Sequence, residues 1–303
     1  MWIIYSLLGA FFQASEMAIK KKALKTKGMN NFIAFLAFLL AGFLMSAFFI
    51  LQNESLDMFS LSSRFWIGLG SSVAVNILAT YFLYKALDLS ELSYLMPYMT
   101  LTSLTIMFPP MLLFHEFPST TGLAGILVVV SGAFLMEYGR AKKSEAEILQ
   151  HQQNRKGLLF FLMTAACYTL SPTTTKLAVL ESSPLFATML IHLLMGLVFG
   201  IFILLFKETT KIKNVFVQFQ HHEKRNFFIA IILASLSITI SNLSIGYAYA
   251  LQNVAYIMAI KRIMPFFAFL IGYFYFKERT HVQRKIWATL LMVAGAVIIT
   301  LFK

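Results

Sequence analysis

Residues 31 to 51, "NFIAFLAFLLAGFLMSAFFIL", pass 21 positions without a charged side chain. Coiled as an α-helix at 1.5 Å per residue, such a run reaches about 30 Å, the thickness of a bilayer's hydrocarbon core. It has no polar face to hold it at a water-exposed surface. Inside a bilayer every backbone N–H and C=O needs an internal partner, so only helices and closed barrels can cross. Apolar runs of this length select helices. The pattern recurs, and ten spans are expected, at about 2–20, 31–51, 65–86, 92–114, 120–138, 157–179, 185–206, 227–250, 253–276 and 284–302. The expected fold is therefore all-α and integral to a membrane.

Composition agrees. Only 13% of the 303 residues are charged, where a soluble domain carries about 25%. A formal net charge of +12 would suggest nucleic acid as the partner of a soluble chain. Here the Lys and Arg residues gather in short connections between apolar runs, as topology determinants do, and no nucleic-acid partner is expected. The single cysteine, Cys167, rules out an internal disulfide or a thiolate metal cluster. The apolar run from Trp2 has no positive region ahead of it and "KKKALKTK" (20 to 27) behind it. That charge order is the reverse of a secretory signal, so the run reads as a retained first span.

The distribution of charge sets topology. Of the 25 Lys and Arg residues, 20 fall in the odd-numbered connections, while the even ones carry only Arg64. Basic connections face the cytoplasm, so both termini are expected outside, in a bacterial inner (plasma) membrane. The polar basic connection 139–156 divides the chain into a first half, 1–138, and a second, 157–303, of five spans each. Basic loops follow the first and third spans of one half but the second and fourth of the other. The halves thus cross in opposite directions, as an odd number of spans requires. Inverted repeats of this kind mark secondary transporters, built around a central cavity. Similarity between the halves supports the repeat. "GAFFQASEMAIKKKAL" (9 to 24) lies over "AACYTLSPTTTKLAVL" (165 to 180), pairing Ser15 with Ser171 and Lys20 with Lys176. Near the end of each half an aromatic-rich span stops at a Glu (Glu116, Glu278), and the next span carries a Gly (Gly132, Gly295).

Two longer segments carry a resemblance to a known family. "YKALDLSELSYLMPYMTLTSLTIMFPPMLLFHEFPSTTGLAGILVVVSGAFL" (84 to 135) and "YALQNVAYIMAIKRIMPFFAFLIGYFYFKERTHVQRKIWATLLMVAGAVII" (249 to 299) share a Pro-containing fourth span, a Glu near its end and a Gly-bearing fifth. They resemble the drug/metabolite transporter superfamily, of the EamA-like ten-helix type. Lys20 and Lys176 match a Lys often found late in the first helix of each repeat. The resemblance implies a pseudo-twofold bundle around a central cavity and transport by alternating access.

The polar residues inside the spans are the candidates for function. In "VAYIMAIKRIMPFF" (254 to 267), Lys261 and Arg262 sit near mid-membrane, where each cation costs about 2.5–3.5 kcal/mol. Adjacent helix positions differ by roughly 100°, so the two point different ways. Arg262 is the preferred anchor for an anionic substrate group, because a guanidinium stays charged and forks onto carboxylate or phosphate. The competing expectation is a buried ion pair or a carbonyl-capped cation that holds helices together. Pro265 cannot donate to the Lys261 carbonyl and permits a kink, and Pro97 is its counterpart hinge in the first half. Asn76, Asn242, Tyr94 and Tyr98 are candidate cavity-lining residues, set against interhelical hydrogen bonding for the amides and an aromatic belt for the tyrosines. Glu16 and His192 are candidates for ion or proton coupling, against an i, i+4 pair of Glu16 with Lys20 and a packing role for His192. Lys176 is expected to snorkel, and Glu116 and Glu278 to be structural. The polar segment 207–226 reads as a solvated loop, and its "HHE" (221 to 223) lacks completing ligands for a metal.

No nucleophile elbow, phosphate-cradling loop or zinc-protease helix occurs, so no enzyme activity, metal or cofactor is expected. The expected function is secondary transport of a small organic metabolite, anionic or zwitterionic, such as an amino acid. The alternative is a lipid-handling flippase or a non-transporting membrane scaffold. The sequence leaves oligomeric state, coupling ion and direction of transport open.

Overall fold

The computed structural model describes residues 1–23, 29–52, 61–89, 102–137, 147–275 and 282–301. All the elements it describes are helices: α1 (Trp2–Ala23), α2 (Asn30–Leu51), α3 (Ser63–Leu89), α4 (Thr102–Thr105), α5 (Phe108–Phe114), α6 (Thr120–Glu137), α7 (Glu147–Leu180), α8 (Pro184–Leu205), α9 (Thr209–Gln218), α10 (His221–Leu251), α11 (Val254–Lys261), α12 (Met264–Phe274) and α13 (Val282–Leu301). Among the described residues eight apolar segments are long enough to cross a bilayer, and Thr120–Leu135 is a shorter apolar helix. The fourth span, expected over 92–114, is described only from Thr102 onward.

Helix ends follow local chemistry. Ser183 caps α8 by accepting from the Phe186 N–H at 3.2 Å, with Pro184 in the first turn where its missing N–H costs nothing. Gln220 and Glu223 close a reciprocal capping box at the start of α10.

The four most extensive interfaces pair α3 with α7, α1 with α10, α2 with α8, and α6 with α13. Exchanging the two halves maps the first pair onto the second and each of the others onto itself. The inverted repeat is thus expressed in packing. It is visible at single residues too. A Cβ on Gly42 of α2 would meet Leu193, and one on Gly196 of α8 would meet Leu39, in the same reciprocal register. In α6 and α13, Gly125 and Gly295 face each other so closely that a Cβ on Gly295 would lie 2.6 Å from the Val129 nitrogen. Small residues let membrane helices approach to backbone contact, where dispersion replaces the hydrophobic driving force.

The fourth and ninth spans are interrupted. α4 and α5 are separated at Ile106–Met107, and α11 and α12 at Arg262–Ile263, each interruption followed by proline in the first turn of the next helix. The segment 207–226 is not simply a solvated loop. It contains α9, whose Ile212, Val215 and Phe216, followed by Phe219, pack on Met29, Ile33, Phe227 and Ile231 at the ends of α2 and α10.

Candidate functional site

The break in the ninth span presents its two cations to different neighbours. α11 ends at Lys261, Arg262 is its cap, and Pro265, buried in the first turn of α12, supplies no N–H. Both cations are half-buried. The Arg262 guanidinium donates to the Thr102 hydroxyl on α4. Thr102 in turn lines a cleft of about 490 Å³ between α4 and α7, together with Thr105, Thr169, Ala165, Ala166 and Leu162. Thr105 and Thr169 hydroxyls bridge the two helices at 2.8 Å. A guanidinium and three hydroxyls at the edge of one cleft form a site that can hydrogen-bond an anionic or polar group.

Lys261 ends α11, which packs against α1, the helix that carries Glu16. The Lys261 ammonium makes no hydrogen bond to any described residue. His192 is 6% exposed and packs on the ring of Phe38. Its Nδ1 lies 2.7 Å from the Thr188 carbonyl, which can only accept, so Nδ1 carries a proton.

The two asparagines differ. Asn76 on α3 donates to the Ser72 carbonyl at 2.8 Å and accepts from the Ser171 hydroxyl of α7, also at 2.8 Å. Ser72 and Thr175 extend that ladder with a hydroxyl pair at 2.8 Å. Ser15, the residue paired with Ser171 in the repeat, donates instead to the Phe11 carbonyl of its own helix at 3.0 Å. The Asn242 amide donates to Ile238 at 3.0 Å, and its carbonyl oxygen takes no hydrogen bond from any described residue. The amide of Asn76 is therefore engaged in joining helices, whereas the carbonyl oxygen of Asn242 is open. Ser171→Ala is expected to cost about 1 kcal/mol, the scale of one interhelical bond in a membrane bundle, read as a small fall in thermal midpoint.

Tyr94, Tyr98 and Pro97 lie outside the described residues, as does Glu278. The side chain of Lys20 does too, so the pairing expected between it and Glu16 stands as an expectation.

One expectation about Lys176 is overturned. It does not snorkel: it is 4% exposed and pairs with Glu116. α5 ends at His115 in a left-handed turn, φ 55°, which precedes Glu116. Glu116 also accepts from the Val254 N–H at 3.1 Å, the first residue of α11. Lys176 also donates to the Gln252 carbonyl at 2.8 Å, just past the end of α10. One ion pair thus ties the fourth, sixth, eighth and ninth spans together. Sixty residues separate its members in sequence, and no local pattern announces the contact. The threonines of the cleft were missed as well, because isolated hydroxyls in apolar runs more often bond their own helix. Among the described residues no group of His, Cys, Asp and Glu is placed to hold a metal.

Two inverted five-span halves, discontinuous fourth and ninth spans and polar groups at the break define the class: a membrane transporter of small molecules built on internal repeats. The sequence profile of the EamA-like transporter family matches residues 1–138 and 155–301, and the chain belongs to that family. The family profile thus matches the chain twice, once per repeat. Twenty-nine chains of solved structures match this one. One of them, titled "Crystal structure of protein", aligns at a TM-score of 0.78 over 99% of each chain with 14% identity. Among curated proteins no sequence matches.

Proposed function

We propose that this transporter is a secondary carrier of a small organic metabolite with an anionic or zwitterionic group, such as an amino acid, and that it works by alternating access between its inverted halves. The observation that carries the reading is the position of Arg262. A half-buried guanidinium at a helix break, bound to a threonine hydroxyl that lines a cleft, is placed to exchange that hydroxyl for a substrate oxygen. Lys261 and the open carbonyl of Asn242 supply further polar contacts. Glu16 and His192 are the groups for ion or proton coupling, as ionisable side chains within the first and seventh spans. Pro265 provides the hinge, with Pro97 its partner in the first half. The charge bias supports both termini outside and a bacterial inner membrane as the location.

The test is a thermal-shift screen of purified protein against amino acids and small carboxylates. Losing the arginine should weaken a stabilising ligand by about 1.5–3 kcal/mol, roughly tenfold to a hundredfold in affinity. Arg262→Ala should therefore shift little at ligand concentrations that stabilise wild type, and Arg262→Lys should recover part of the shift. Equal stabilisation of wild type and Arg262→Ala would remove the arginine from the site.

A further inference from the structure

A second site lies on the outer wall of the bundle. Between α2 and α10 an apolar groove of about 250 Å³ is lined by Leu36, Leu39, Leu40, Phe43, Phe228, Ile231 and Ile232. The helices run parallel here, with Met29 and Ile33 packing on Phe227 and Ile231, then Ala37 and Ala41 on Ile238. Both therefore start at the same face, and the groove runs inward from it. From Leu36 to Phe43 it covers about 10 Å, against a leaflet depth of about 15 Å. Its rims are open to the surroundings, since Phe43 is 58%, Phe228 47% and Ile232 50% exposed.

The groove ends at a cluster of cations. Lys224 and Arg225 lie near the start of α10, four and three residues before Phe228, so they sit on the groove's face one turn above it. α9 closes the same end. Leu36 and Ile231 belong both to the groove and to the cluster beneath α9, and Phe216 of α9 stacks on Phe228 at 5.9 Å. Lys211 and Lys213 are exposed on the two flanks of α9's apolar edge. Glu208 accepts from Asn31 at 3.0 Å through one of its oxygens, and Glu223 accepts from the Gln220 N–H at 2.8 Å. An amphipathic helix with basic flanks, set at the mouth of an apolar groove, matches the two parts of one molecule.

We infer that this is a binding site for an anionic phospholipid, with an acyl chain in the α2–α10 groove and the phosphate between Lys224 and Arg225, flanked by the lysines of α9. The groove alone would accept any acyl chain. The cations select the headgroup. The site stands apart from the cleft at Arg262 and does not depend on what is transported.

Native mass spectrometry of the full chain in detergent tests it, with phosphatidylglycerol and phosphatidylcholine of identical acyl chains as probes. Wild type should take up phosphatidylglycerol at a roughly tenfold lower concentration, from the attraction of basic groups to an anionic headgroup. Lys224→Gln with Arg225→Gln should abolish that preference and leave phosphatidylcholine uptake unchanged. Ile232→Trp, at an exposed position on the groove wall, should weaken both lipids together. Glycerol phosphate in excess should fail to displace the bound lipid. Equal uptake of the two lipids by wild type, or a preference that survives the double substitution, would overturn the assignment.

Discussion

Lys176→Met should lower the thermal midpoint more than any other single substitution of a charged side chain in the described bundle. The substitution leaves Glu116 with its charge in a nearly closed site, its side chain 15% exposed, and takes a donor from the Gln252 carbonyl. Breaking a buried pair by removing one partner costs about 3–5 kcal/mol, mostly the penalty for the charge left behind. The double substitution Lys176→Met with Glu116→Gln should restore much of the loss, because it removes both charges and retains an acceptor for the Val254 N–H. Thermal unfolding of the purified single and double variants gives the comparison. A double variant no more stable than Lys176→Met would show that the pair's charges are not what the single substitution exposes.

The second large effect is steric. Gly295→Val should prevent recovery of monodisperse protein, because the new Cβ would lie 2.6 Å from the Val129 nitrogen and 2.7 Å from the Gly125 carbonyl oxygen. Both obstacles are backbone, so no rotamer change relieves them. The α6–α13 interface would have to separate, losing the dispersion contacts that hold these helices together in a medium as apolar as their side chains. Gly70 supplies the control. Nothing lies within 4 Å of a Cβ placed there, so Gly70→Ala should behave as wild type in size-exclusion chromatography. Normal recovery of Gly295→Val would mean that the interface tolerates several tenths of an ångström of separation.

The spans were legible in the sequence because a membrane helix must be apolar along its whole length, and that signal is continuous. Their opposite crossing was legible from loop charge and from an odd number of spans per half. The break in the fourth span was harder to read. Pro109 and Pro110 stand in the same apolar run as the residues around them, and hydropathy does not register a lost hydrogen bond. α9 was hidden by its polar residues, although the spacing of Ile212, Val215, Phe216 and Phe219 does carry helical period. Lys261 and Arg262 announced themselves as cations in hydrocarbon. Their neighbours Thr102 and Glu16 come from distant parts of the chain, and only the folded arrangement brings them near.

The packing of the halves has a consequence for assembly. All four of the most extensive interfaces join one half to the other, and the interfaces within each half are smaller. Each half buries its helices chiefly against its inverted partner. In oligomer terms the chain is an obligate pseudo-dimer whose subunits share one backbone, with isologous contacts at α2–α8 and α6–α13. Obligate dimers often have no stable folded monomer, so neither half is expected to fold without the other.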